Sequence, residues 1–434
     1  MTVLPVLLAL HTALIGVPLD LKLEADLQLR GGYSQTPFIT GPDSAPLLNV
    51  GGTGAGAPEF NTIVTPAVAL TLKQANFLFS IGYQPRLFFD LLAATAPSVF
   101  HGVNLAMTLG RSADWLLTVG ANASVGGLNF GQAGQALNEF SGSLRPGTTS
   151  SALDFLSLAA YARVEHPLNA DWKLSSIQTV SKISTPPASS SNFVAGSVAA
   201  LTVGGVALPP LQNEVRLDSA YEATYRLNSF HAFRLDFLGT VASFQATATY
   251  LSLSPGVGWD GQVGKYDKLG LKAGVLKYWA NPHPGRYLRP QYLITGGIAY
   301  EHSFASIDLP RLVGSLEITE QPYYDIIYGD IEPRGTVSAG LTYEVSRELK
   351  LRAQVRSYTQ EYFTGTHFLP VPKQHDKYVL VGSTEVNYQY AKYLAFRGGL
   401  FGLDRSIVPS STVPYTHVKE FYAYVSVKGT YDVD

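Results

Sequence analysis

From Asp20 the chain reads D-L-K-L-E-A-D-L-Q-L-R, in which Leu21, Leu23, Ala25, Leu27 and Leu29 alternate without a break with Lys22, Glu24, Asp26, Gln28 and Arg30. A period of two puts every apolar side chain on one face of a pleated strand and every polar one on the other, whereas a helix would scatter these charges around its circumference. One face of this strand must meet an apolar partner. The pattern returns at Glu214 to Leu227, where Val215, Leu217, Tyr221, Ala223 and Tyr225 oppose Glu214, Arg216, Asp218, Glu222 and Arg226. It returns twice more around a Ser346-Arg347-Glu348 turn. There Val337, Ala339, Leu341, Tyr343 and Val345 oppose a polar row ending in Glu344, and Leu349, Leu351, Ala353 and Val355 oppose Lys350, Arg352, Gln354 and Arg356.

Weaker copies fall at Val64 to Leu72, Phe77 to Leu87, Val103 to Leu109, Trp115 to Val125, Leu156 to Val164, Trp172 to Ile183 and Phe233 to Val241. Others follow at Leu251 to Trp259, Leu269 to Tyr278, Leu288 to Tyr300, Ile307 to Ile318, Tyr378 to Tyr388, Leu394 to Gly402 and Phe421 to Tyr431. Together these predict 16 to 18 strands, 18 preferred, in an all-β fold. Their connections alternate in length. Lys73 to Asn76, Arg111 to Asp114, His166 to Asp171, Asn228 to His231, Ser346 to Glu348 and Ala391 to Lys392 are tight. Between them lie long Gly-, Ser-, Pro- and Asn-rich stretches: Tyr33 to Asn61, Gly126 to Ala152, Ser184 to Gln212, Gln321 to Pro333, Gln360 to Lys377 and Asp404 to His417. A soluble sandwich has no reason to sort its loops by parity; a membrane barrel has short turns on one rim and long loops on the other.

A low-charge, Tyr-rich chain of amphipathic strands with alternating loop lengths resembles the porin-like outer-membrane β-barrels of Gram-negative bacteria. The resemblance is one of pattern over Asp20 to Asp434 and implies a closed antiparallel transmembrane barrel, with short periplasmic turns and long extracellular loops, set in outer-membrane lipid and lipopolysaccharide. Residues 1–18 read as a truncated export signal and residues 19–434 as one barrel domain. Tyr and Trp near strand ends (Tyr83, Trp115, Trp172, Trp259, Tyr278, Trp279, Tyr287, Tyr343, Tyr388, Tyr390 and Tyr393) suit an interfacial girdle.

Composition narrows the alternatives. The formal charge of -2 offers nucleic acid no net attraction. Charged residues make up only 15%, against about 25% in an average protein, which is too few for a disordered chain. After Val17 no apolar run approaches the ~18 residues of a membrane helix. The absence of Cys removes disulfides and thiolate chemistry. No HExxH, GxSxG or Walker sequence occurs, and nothing calls for a cofactor. Gly51 to Gly56 imitates a phosphate loop but precedes no helical pattern. The acidic stretch Asp325, Asp330, Glu332 lacks calcium-loop spacing and reads as a solvated loop. Among the histidines, His302 beside Glu301, Ser303 and Ser306 is the one worth testing as a base.

Polar parity assigns the inner face. Lys22, Glu24, Asp26, Arg30, Arg163, Glu214, Arg216, Asp218, Glu222, Arg226, Arg234, Asp236, Glu344, Lys350, Arg352, Arg356, Glu385, Arg397 and Lys428 would line the lumen, with a slight basic excess. Tyr161, Tyr278, Tyr358, Tyr422 and Tyr424 would face inward and could stack sugar rings. A packed core would not accept so many charges, so the inside should hold water, and 16 to 18 strands enclose a channel rather than one small ligand. The leading expectation is passage of hydrophilic solutes or sugars. A duct exporting a surface polysaccharide with a periplasmic partner, and a non-conducting barrel anchoring an envelope-spanning assembly, are the alternatives. No metal or catalytic site is expected, and the sequence sets no oligomeric state.

Overall fold

The computed structural model describes residues 19–34, 38–40, 46–48, 57–91, 98–110, 115–129, 152–184, 202–203, 206–207, 214–244, 248–282, 291–307, 311–325, 330–359, 375–408 and 416–433. The segment 1–18, the Gly51 to Gly56 stretch and Tyr287 lie outside them. Eighteen staves follow in chain order: β1 (Leu19–Ser34), β2 (Ala57–Gln74), β3 (Phe77–Tyr83 with Arg86–Asp90), β4 (Ser98–Leu109), β5 (Leu116–Asn129) and β6 (Ala152–Pro167). Next come β7 (Trp172–Ser184), β8 (Glu214–Arg226), β9 (His231–Phe244), β10 (Ala248–Gln262), β11 (Asp267–Pro282) and β12 (Gln291–Ser303). The last six are β13 (Leu312–Asp325), β14 (Asp330–Glu344), β15 (Leu349–Thr359), β16 (His375–Ala391), β17 (Leu394–Val408) and β18 (Thr416–Val433). Each stave pairs antiparallel with the next, and β18 returns to β1 in a ladder running from Leu21↔Val433 to Ser34↔Glu420, so the sheet closes on itself. Two small hairpins, Phe38–Thr40 with Pro46–Leu48 and Thr202–Val203 with Val206–Ala207, lie outside this sheet.

All 18 periodic segments are strands, including the three with the weakest alternation, Trp172 to Ile183, Leu251 to Trp259 and Ile307 to Ile318. The last is displaced: Ile307 ends a 3₁₀ turn (Phe304–Ile307), and β13 starts at Leu312. Several long connections are shorter than their composition suggests. Gln321 to Pro333 reads as loop, yet β13 runs to Asp325 and β14 restarts at Asp330, the two residues forming the last rung. Near that rim both faces of a strand leave the apolar slab, so the alternation that marks a strand is no longer required. The side chains of Asp325, Asp330 and Glu332 lie outside the described residues.

The tight rim owes its geometry to short polar side chains. Asn169 Oδ1 accepts the amides of Asp171 and Trp172 at 2.9 and 2.8 Å, and Asn228 Oδ1 those of Phe230 and His231 at 2.8 and 2.9 Å. Ser346 Oγ does the same for Glu348 and Leu349 at 3.2 and 3.1 Å. Each side chain stands in for a backbone partner and fixes the reversal. The Ser346 hydroxyl also donates to Glu348 and holds that carboxyl below the usual carboxylate range.

Stave β3 is broken at Gln84-Pro85 but keeps its register: Tyr83 faces Val68 and Leu87 faces Val64 on β2, so Pro85 stands opposite Pro66. Gln84 exchanges both backbone bonds with Gly102 of β4. The next residue must therefore turn its backbone toward β2, where the two prolines remove both donors of a single rung.

Alternate positions along the staves carry exposed apolar side chains, among them Leu27, Val180, Leu217, Leu235, Val257, Ile298, Leu341, Val355, Leu400 and Val425. In a closed sheet this exposed set is the outer surface, and such a belt belongs in a bilayer. A single-chain barrel with an even number of strands is the architecture of the bacterial outer membrane. Leu217 lies between Val180 and Val241, both exposed on the same face. Leu217→Arg should lower unfolding stability in lipid vesicles by about 2–4 kcal/mol, while Arg352→Ala, on the opposite face of β15, should change it far less. Equal losses in denaturant titrations would contradict the assignment of faces.

Candidate functional site: the inner wall

The residues between the exposed apolar ones form the inner wall. On β1, Lys22, Glu24, Asp26 and Arg30 alternate with exposed Leu23, Leu27 and Leu29; on β18, Tyr422, Tyr424 and Lys428 alternate with Phe421, Val425 and Val427. The closing ladder brings the two sets together. Glu24 takes Lys22 at 2.6 Å and Lys428 at 2.8 Å, and the Arg30 guanidinium lies 3.5 Å from the centre of the Tyr422 ring.

The same economy of charge recurs around the ring. Glu165 on β6 holds its neighbour Arg163, and Lys173 of β7 at 2.5 Å. Arg216 meets Asp218 at 2.8 Å, and Asp218 also accepts the Thr240 hydroxyl at 2.6 Å. Arg234 reaches Asp260 at 2.9 Å, and Lys272 reaches Asp236 at 3.0 Å. Glu222 accepts Thr224, Lys350 pairs with Glu344 at 2.5 Å, and Tyr424 donates to Glu385 at 3.0 Å. Arg397 stands opposite Asn387 and Ser426. Arg226, Arg352 and Arg356 are exposed and have no ion pair among the described residues. Cross-strand pairs of opposite sign stabilise a ladder by a few tenths to about 1 kcal/mol each.

Two expectations need correction. Glu214 is only 3% exposed and stands opposite Phe244, so it is buried rather than presented to open water. Its neighbour belongs to an inward apolar patch that parity did not reveal: Ala242, Phe244, Tyr250, Leu276, Tyr278 and Leu293, at the long-loop ends of β9 to β12. The second correction concerns the tyrosines. Tyr278, Tyr358 and Tyr422 are 3%, 6% and 7% exposed. Tyr278 sits in the apolar patch, which also removes it from the outer girdle. Arg334 lies 4.5 Å from the Tyr358 ring centre, and Phe401 stacks on Tyr422 at 4.5 Å. Rings covered in this way offer little area to a sugar. Tyr161 and Tyr424 are less covered.

Three inward tyrosines stand directly opposite a glycine: Tyr422 and Gly32, Tyr161 and Gly120, Tyr424 and Gly399. A Cβ at Gly120 would fall on the Tyr161 ring, and one at Gly399 would come within 2.9 Å of the Tyr424 ring. Absence of a side chain lets the Tyr161 and Tyr424 rings lie across the neighbouring stave instead of standing into the bore.

His302 lies on the outer face at the tight rim. Its Nδ1 is 2.7 Å from Asp267 Oδ1, the Tyr300 hydroxyl donates to the same carboxylate at 2.5 Å, and Phe304 meets the imidazole edge-on. Ser303, one residue on, belongs to the inward set. Among the described residues no cluster of His, Asp and Glu has metal-site geometry.

No family model and no curated protein sequence matches the chain. Among solved structures it is similar to Pseudomonas aeruginosa OccK2 (OpdF), with a TM-score of 0.47 and 10% identity over 95% of this chain and 98% of that one. It is also similar to the Pseudomonas aeruginosa outer membrane protein opdK (TM-score 0.47, 8% identity, 95% and 99% covered). A third likeness is to the copper transporter OprC (TM-score 0.46, 10% identity, 95% and 83% covered). Likenesses at this level assign no solute.

Filling the space beneath Tyr161 tests the wall geometry. Gly120→Val should cost about 1–3 kcal/mol by overpacking and lower single-channel conductance as the ring is lifted into the bore. Tyr161→Ala in the same chain should restore the conductance; a double variant as poorly conducting as the single one would show that the ring is not the obstacle.

Proposed function

We propose that this barrel is an outer-membrane channel that passes hydrophilic solutes through a water-filled lumen with a mild preference for anions. The observation that carries the reading is the inner wall of half-exposed ion pairs, Glu24 with Lys22 and Lys428, Arg234 with Asp260, Lys350 with Glu344. Charges left half-exposed on an inward face require water beside them, because their desolvation in a packed core would cost several kcal/mol each. Paired groups largely cancel at a distance. What an ion entering the bore feels is the remainder, and Arg352 and Arg356 on β15, exposed and without ion pairs among the described residues, supply two positive charges on one strand. A low-dielectric wall focuses that field on the permeating ion.

Reversal potentials across planar bilayers under a salt gradient test this. The native barrel should conduct and favour anions weakly; Arg352→Glu with Arg356→Glu should move the reversal potential toward cations, and more so at low ionic strength, where screening is weaker. An unmoved potential would remove these arginines from the permeation path. A barrel that never conducts would leave the polysaccharide duct or the anchoring role in place of the channel.

A further inference from the structure

A recess of about 590 Å³ lies on the inner wall at the tight-rim side, beginning at the β8–β9 turn and reaching β15. That is the size of a small-molecule site. The recess follows one rung of the ladder: Asp260, Gly270, Ala299, Glu317, Ser338 and Arg356 stand opposite one another in turn across β10 to β15. A shared rung turns all six to the same side of the sheet, the lumen. Three of the six are small. Gly270, Ala299 and Ser338 form the floor, and Ala299 is exposed in spite of its size; the longer charged side chains form the walls.

Those walls carry both signs. Arg226, Lys268 and Arg356 match Asp260, Glu301 and Glu317 in number, so the net charge of the recess favours neither cations nor anions. Lys268 holds Glu301 at 2.6 Å, and Arg234 holds Asp260 at 2.9 Å. Glu317 and Arg356 are both exposed and stand on β13 and β15, with Ser338 of β14 between them. Two strand spacings set their backbones about 9.5 Å apart. An amino nitrogen and a carboxylate carbon on one carbon atom lie about 2.5 Å apart, and a charge-assisted hydrogen bond adds about 2.8 Å at each end. A small molecule carrying both charges therefore suits the gap between this carboxylate and this guanidinium.

We infer that this recess is a binding site for small zwitterions, of which an α-amino acid is the simplest. Arg356 takes the carboxylate, Glu317 takes the ammonium, and the Ser338 hydroxyl hydrogen-bonds between them. The rest of the solute lies over Ala299 and Gly270. An anion meets Arg356 and is repelled by Glu317; a cation meets the reverse. The inference deepens the channel reading and rests on it, because solutes reach the recess through the water-filled bore.

Three probes separate the charges at about pH 6: L-serine is a zwitterion, N-acetyl-L-serine an anion and L-serinamide a cation. Binding is read in two ways, by saturable reduction of the ion current in planar bilayers and by ligand-observed NMR titration of the purified barrel in detergent. L-serine should bind the native barrel about tenfold or more tightly than either analogue, the scale of one lost charge-assisted hydrogen bond. Glu317→Gln should weaken L-serine by about the same factor and spare N-acetyl-L-serine, whereas Arg356→Gln should weaken both. Glu317→Arg should abolish L-serine binding, and adding Arg356→Glu to it should restore binding with the solute reversed. Analogues that bind as well as L-serine, or L-serine binding that ignores both residues, would overturn the site, as would a conducting barrel that binds no L-serine by either method. A barrel that binds L-serine in the NMR titration but passes no current would tell against the channel and leave the recess standing.

Discussion

In hydrocarbon a backbone amide without a partner costs several kcal/mol, and the closing ladder between β1 and β18 is what lets this chain meet that requirement. A sheet of the same staves left open would present two bare edges to lipid. With the ring closed, each stave has a neighbour on both sides, and the wall can be judged by its interruptions. The Pro66 and Pro85 rung confines its missing donors to one place and preserves the register on either side. Among the described residues the β12–β13 ladder stops at Gly296↔Glu320.

Closure also divides the side chains. Once the sheet is a cylinder, the two faces of each strand have different solvents, and a single parity rule sorts Leu217 from Arg216 and Leu351 from Arg352. Opposite charges inside then meet across the ladder, as Glu24 does with Lys428 across the closing seam and Asp236 with Lys272 across β9 to β11. A chain with few net charges can in this way have a strongly polar interior and still leave only a small field along the bore.

The fold was largely legible in the sequence because the bilayer imposes the alternation, and every periodic segment became a stave. Strand ends were not, since beyond the slab both faces meet water and the pattern loses its cause, as at Gln321 to Asp325. Parity can sort the residues of a strand only where one face is greasy and the other wet. It had nothing to say where both are apolar: at Val241-Ala242-Ser243-Phe244 and Val275-Leu276 alternate members form the inner patch. The burial of Glu214 and Tyr278 follows from that patch and was hidden with it. Nor could parity report what packs on a ring, which is why Tyr358 and Tyr422 looked open. Asp260, the partner of Arg234, follows the inward parity but was missed, because it lies one residue beyond the segment read from Leu251 to Trp259.

A tyrosine resting on a glycine has one further consequence, for electrical noise. A side chain standing into a water-filled bore can swing among rotamers, and each swing changes the cross-section and so the current. The Tyr161 ring occupies the place of the side chain that Gly120 lacks, and its movement is limited by the wall it lies on. The open barrel should therefore be quiet near this rung, with its larger current fluctuations arising where long side chains such as Arg352 and Arg356 reach into the water.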